Sequence, residues 1–185
     1  MKIKYSFWFL IIYSLFLGYF NELIIFLLCL MIHEIGHLII AFIFKFKINY
    51  FKLSIFGGEM NFHLNNVAVF KKILLFANGI IFNIIFLMLA FLLNSKLLIK
   101  CNLILIVVNC IPLVPLDGFN ILSLFLPETI LTNLSLILLF SISLIAIYKQ
   151  SLGLFLIAVF LIINFVQYLK LKNEKRLYII IKNMI

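Results

Sequence analysis

Residues 23–44 read LIIFLLCLMIHEIGHLIIAFIF, and within them stand His33, Glu34, Ile35, Gly36 and His37. The flanks are almost wholly apolar. In the H-E-x-x-H pattern the histidines are four residues apart, so on a helix both imidazoles project from one face. Such a pair can share one metal ion, most naturally Zn²⁺. Glu34 lies beside the first histidine. It is poorly placed to ligate the same ion but can reach a water at that ion as general base. Ionisable groups inside an apolar span cost on the order of 2.5–3.5 kcal/mol each on insertion scales, so their presence points to function. The plain alternative is a polar seam that hydrogen-bonds two helices.

The rest of the chain sets this segment in a membrane. The 185 residues are 66% hydrophobic and 11% charged, with a mean hydropathy of +1.30. That composition excludes an ordinary soluble core. No small-residue cleavage site follows the apolar run after Lys2 and Lys4, so residues 5–20 read as an anchor and not as a cleaved signal. Cys29, Cys101 and Cys110 are odd in number and fall in apolar spans, which argues against a disulfide framework. Cys29 lies one turn before His33 on the same face. It reads as a packing thiol, with metal approach as the alternative.

Apolar runs near 5–20, 22–44, 73–93, 101–126, 131–148 and 152–170 predict an all-α polytopic membrane protein of about six transmembrane helices. The net charge of +9 is concentrated between spans and in the tail, which orients a protein in a bilayer and does not suggest nucleic acid. With the N-terminus inside, Lys45, Lys47, Lys52, Lys71, Lys72 and the basic tail from Lys170 are cytoplasmic, and only Lys96, Lys100 and Lys149 fall outside. Both termini are then expected in the cytoplasm.

Two further stretches carry information. Residues 48–64 alternate partly, are rich in β-formers and contain Gly57-Gly58, predicting a small β-hairpin at the membrane surface. His63 lies there and reads as a solvated loop histidine. In the third span Asn78 and Asn83 are expected to bond across helices. The fourth span is broken at Pro112 and Pro115, which remove amide donors and clash with a continuing helix. Backbone unwound at that depth must face protein or a wet cavity. Asp117 follows at once, and a carboxylate there needs a cation. His33 lies ~16 Å from Glu22 along a helix, and Asp117 up to ~25 Å from Lys100. Both groups thus fall in the same half of the bilayer.

Together, His33-Glu34-Ile35-Gly36-His37 and Asn109-x-x-Pro112-x-x-Pro115-Leu116-Asp117-Gly118 resemble the site-2 protease family of intramembrane zinc metalloproteases. The six-span layout and Phe56-Gly57-Gly58 resemble its stage IV sporulation branch. The resemblance implies that His33, His37 and Asp117 ligate Zn²⁺ and that Glu34 is catalytic. It gives Asn109 a role in positioning substrate or stabilising the oxyanion, and Phe56, Gly57 and Gly58 a weaker substrate-positioning role. Gly79 and Asn83 match a third-span pattern, with Ile80 where the family usually has proline. The implied substrate is a membrane-associated sigma-factor precursor, with membrane inhibitor proteins as further partners. Residues 1–185 are expected to form a single protease domain without a PDZ or CBS domain. A membrane metal transporter or metal-binding protein is the rival class. It would use the same ligands but would not need Glu34, and neither a second ligand set nor an internal repeat is evident.

Overall fold

The computed structural model describes residues 2–3, 5–54, 57–64, 66–150 and 152–184. The chain divides into two compact units, Met1–Ile111 and Pro112–Ile185.

The first unit begins with a short strand β1 (Lys2–Ile3) and helix α1 (Tyr5–Phe16). Helix α2 (Phe20–Ile43) carries the H-E-x-x-H segment. It ends where Lys45 takes a left-handed conformation, φ 53°. The Phe46 amide then reaches back to the Ala41 carbonyl and the Lys45 amide to that of Phe42. These two bonds satisfy acceptors that every helix end leaves open. Strands β2 (Ile48–Ser54) and β3 (Gly57–Phe62) follow and pair antiparallel, with Lys52 opposite Glu59. β1 lies parallel on the other edge of β2. Phe56 lies outside the described residues. Helix α3 (Val69–Leu92) runs back along α2, and α4 (Lys96–Cys110) completes the unit.

Helix α4 stops for a local reason. Ile111 precedes proline and is extended, φ −70° and ψ 132°, as crowding by the proline ring requires. The second unit opens on this irregular stretch and continues into the short helix α5 (Asp117–Leu122), then α6 (Glu128–Tyr148) and α7 (Leu152–Met184). Ser135 on α6 is fully buried and donates its hydroxyl to the Pro112 carbonyl at 3.2 Å. An acceptor freed by the break is thereby satisfied inside protein.

Among the described residues four helices are long and apolar enough to cross a bilayer: Phe20–Ile43, Val69–Leu92, Glu128–Tyr148 and Gly153–Glu174. Six was the expectation. The run at 5–20 yields α1, only 12 residues or ~18 Å long, against a hydrocarbon core of about 30 Å. The run at 101–126 is divided by its prolines into α4 and α5. Phe42 and Leu92 are 86% and 80% exposed. Such surface is costly in water and ordinary against lipid. The chain is an integral membrane protein.

Candidate metal centre

His33 and His37 are buried on one face of α2, and their Nε2 atoms lie 3.2 Å apart. Two nitrogens on a tetrahedral Zn²⁺ at about 2.0–2.1 Å are separated by about 3.3 Å. The pair therefore already has the spacing of one edge of a zinc tetrahedron. The His37 ring is oriented from behind: Nδ1 donates to the Leu75 carbonyl on α3 at 2.7 Å. That bond assigns the proton to Nδ1 and leaves the Nε2 lone pair for an ion, as the outer partners of ligating histidines do. Glu34 is buried on the next position of the helix.

Glycines bring α3 this close. A Cβ on Gly79 would lie 2.7 Å from Cε1 of His33 and clash with the His37 ring as well. A Cβ on Gly36 would lie 2.6 Å from the Asn78 carbonyl oxygen. The two helices thus cross through a pair of reciprocal glycines, the usual route to close approach in membranes. Asn78 secures the crossing by donating to the Gly36 carbonyl at 2.6 Å, as the sequence leads one to expect. Asn83 differs: it is fully buried, yet neither atom of its amide hydrogen-bonds to a described residue.

Cys29 packs in an apolar cluster with Leu30, Cys101 and Leu105. Its sulfur accepts from Nδ2 of Asn102 at 3.3 Å, which supports a packing role. Asn109 is buried in the last turn of α4 and donates from Nδ2 to the Leu105 carbonyl at 3.0 Å. One N–H of that amide is so committed to its own helix, leaving the second for other partners. His63 is exposed, outside this face. Gly57 and Gly58 open β3.

In the second unit, Asp117 is buried as the first residue of α5. Residues around it were not foreseen as a set. Phe119 packs edge-on against Tyr168 of α7, centroids 5.5 Å apart. The Tyr168 hydroxyl donates to Glu128 at 2.5 Å, and the Lys172 ammonium lies 3.4 Å from the same carboxylate oxygen. A serine in an apolar span, and a glutamate at the head of the same span, are the signals the sequence offers for Ser135 and Glu128.

Paired imidazoles with an adjacent carboxylate, buried between membrane helices, define a helical membrane protein with a site suited to a divalent cation. No protein-family model matches the chain, and no curated protein matches it. Its fold is similar to that of a solved structure, a site-2 protease from Methanocaldococcus jannaschii. The TM-score is 0.72 at 21% identity, covering 89% of this chain and 88% of that one.

Proposed function

We propose that this chain is an intramembrane zinc metalloprotease that hydrolyses a peptide bond in a membrane-associated protein. The observation that carries the reading is the His33–His37 pair, with the zinc-edge spacing, the oriented His37 ring and the neighbouring Glu34. Similarity of fold to a site-2 protease supports it. The two sequence motifs assign His33, His37 and Asp117 as the three protein ligands. Asp117 supplies the negative charge that two neutral imidazoles lack. The bound ion would supply Lewis acidity toward the scissile carbonyl and toward a water.

The residues of the chain then divide the work. Glu34 takes the proton of the attacking water and returns it to the leaving amine. The second amide N–H of Asn109 donates to the oxygen on which charge develops. A helical substrate shields its own carbonyls, so it must be held extended. The open edge of the β2–β3 hairpin is assigned that role, and with it the substrate-positioning role that the sequence gives Phe56, Gly57 and Gly58. The finer assignment is the sporulation branch, with a sigma-factor precursor as substrate, membrane inhibitor proteins as partners, both termini cytoplasmic and the whole chain acting as one domain.

The test is co-expression with a membrane-tethered precursor and zinc analysis of the purified chain, with Glu34→Gln and Asp117→Asn alongside the wild type. Glu34→Gln keeps size and loses basicity, so zinc stays at about one per chain while cleavage falls by orders of magnitude. Asp117→Asn lowers zinc and cleavage together. A Glu34→Gln chain that cleaves at the wild-type rate overturns the protease assignment and favours metal binding or transport. Full zinc and full activity in Asp117→Asn move the third ligand elsewhere, with Cys29 next.

A further inference from the structure

A cavity of about 490 Å³ opens where α2 ends and α3 begins. Lys45, Lys47 and Lys71 line it, with His63 and Asn66, and none of its nine lining residues is acidic. We propose that this cavity binds the phosphate of an anionic phospholipid headgroup.

Charge is the first argument. Three lysines line one cavity, and their like charges favour an anion among them. The helix geometry adds to this. Ala68 is the N-cap of α3 and offers no side-chain acceptor to the first turn, and Val67, Ala68 and Lys71 all line the cavity. The amides of a first turn point outward with the positive end of the helix dipole, which makes this end of a 24-residue helix suited to phosphate. Lys71 is steadied by its own neighbour, its ammonium lying 5.1 Å from the centre of the Phe44 ring. The backbone adds a third observation. Lys45 and Asn66 both line the cavity in left-handed conformations, φ 53° and 59°. That conformation is costly for a lysine, and glycine usually fills the place Lys45 takes after a helix. Lysine here gives up stability and gains a charge at the rim.

The position selects the source of the phosphate. α2 and α3 are both candidate spans, and the cavity joins the end of one to the start of the next. It therefore lies at the edge of the hydrocarbon layer, at headgroup depth. Phe42 and Phe70, 86% and 67% exposed, lie within two residues of the lining residues Phe44, Ala68 and Lys71 in sequence and offer apolar surface to acyl chains. A soluble phosphate would not use them. Because the same two helices carry His33, His37 and Gly79, a bound headgroup would brace the end of the pair that holds the histidines.

The full chain would be purified in neutral detergent and titrated with short-chain phosphatidylglycerol, phosphatidylcholine, inorganic phosphate and ATP. Binding is read by native mass spectrometry and by the shift in thermal midpoint. Phosphatidylglycerol should bind and stabilise the wild type more than phosphatidylcholine, and excess inorganic phosphate or ATP should not displace it. The triple variant Lys45→Gly, Lys47→Gln, Lys71→Gln should lose affinity on the order of a hundredfold, at roughly fivefold per lysine. Lys45→Gly alone separates binding from folding. Glycine suits the left-handed backbone, so the unliganded midpoint holds or rises while phosphatidylglycerol affinity falls roughly fivefold. The proposal is overturned if the triple variant binds phosphatidylglycerol like the wild type. It is also overturned if inorganic phosphate or ATP stabilises the wild type as well as the lipid does, since the ligand is then a free phosphate compound.

Discussion

Helices α2 and α3 cross at Gly36 and Gly79, with an asparagine and an imidazole bonded across the crossing. On α6 and α7 no glycine is among the described buried positions: bulky Leu131, Leu139, Leu161 and Phe165 alternate with the smaller or polar Thr132, Ser135, Ala146, Ala158 and Asn164. Polar contacts join them at one end, where Glu128 meets Tyr168 and Lys172. Lipid gives helices no hydrophobic reason to associate, so both pairs depend on packing and hydrogen bonds. They differ in what the packing is for. Side chains alone can hold two helices together, but they also hold the backbones apart. Glycines let a backbone carbonyl of α3 reach the His37 ring and fix which nitrogen faces outward. Rigid placement of ligands depends on such support, and it is found where the ionisable groups are.

The sharpest way to break this contrast is Gly79→Ala. One methyl group would have to share space with both imidazoles, and neither a helix backbone nor two buried rings can yield cheaply. The expected outcome is loss of most bound zinc and at least a hundredfold loss of cleavage in a chain that still inserts. Zinc content per chain and precursor cleavage, measured on the same preparation, check it. Full zinc with full activity would mean that the crossing is looser than the structure has it.

In the second unit the comparable probe is Ser135→Ala, and a smaller effect is expected. It removes one hydroxyl and leaves the Pro112 carbonyl without that donor. Hydrogen bonds between membrane helices average about 0.6 kcal/mol and reach about 1.7. Thermal midpoints in detergent should fall by a few degrees. Zinc affinity should fall only several-fold, because the stretch that leads to Asp117 loses one tether and keeps its prolines.

The sequence reveals the contents of the two units unequally. The paired histidines, their shared face and the break before Asp117 are legible because each depends on spacing or on proline chemistry within a few residues. The crossing of Gly36 with Gly79 is not, since it depends on which helix lies opposite. The Leu75 carbonyl leaves no mark at all, because every residue has one. Ser135 and Pro112 are 23 residues apart, so neither announces the other. The span count has a different cause. Hydropathy at 5–20 and 101–126 registers an apolar run but not where its helix stops, and α1 and α4 both stop early. Asn83 shows the limit of residue-type rules: asparagine in a span is expected to bond across helices, as Asn78 does, whereas the Asn83 amide finds no such partner among the described residues.

The smallest effect expected is that of Tyr168→Phe, and it tests whether the polar end of α6 and α7 matters to the helix that begins at Asp117. Tyr168 makes two contacts of different kinds. Its hydroxyl donates to Glu128, and its ring lies edge-on to Phe119, two residues beyond Asp117. Phenylalanine keeps the ring and removes the hydroxyl. Glu128 is about half exposed and retains Lys172 at 3.4 Å, so it is not left as a buried charge. The loss should be about 0.5–1 kcal/mol, a degree or two in thermal midpoint, with zinc content and cleavage unchanged within twofold. Tyr168→Ala removes the ring as well. An edge-to-face pair contributes about 0.5–1.5 kcal/mol beyond its buried area, so this variant should lose more stability. If Phe119 in turn steadies α5, zinc affinity should fall too. Measuring zinc dissociation for both variants separates the two contacts. A drop in zinc affinity in Tyr168→Phe as large as in Tyr168→Ala would place the support in the hydrogen bond and not in the ring. The unit would then resemble the glycine crossing, with polar contacts holding its helices where function needs them.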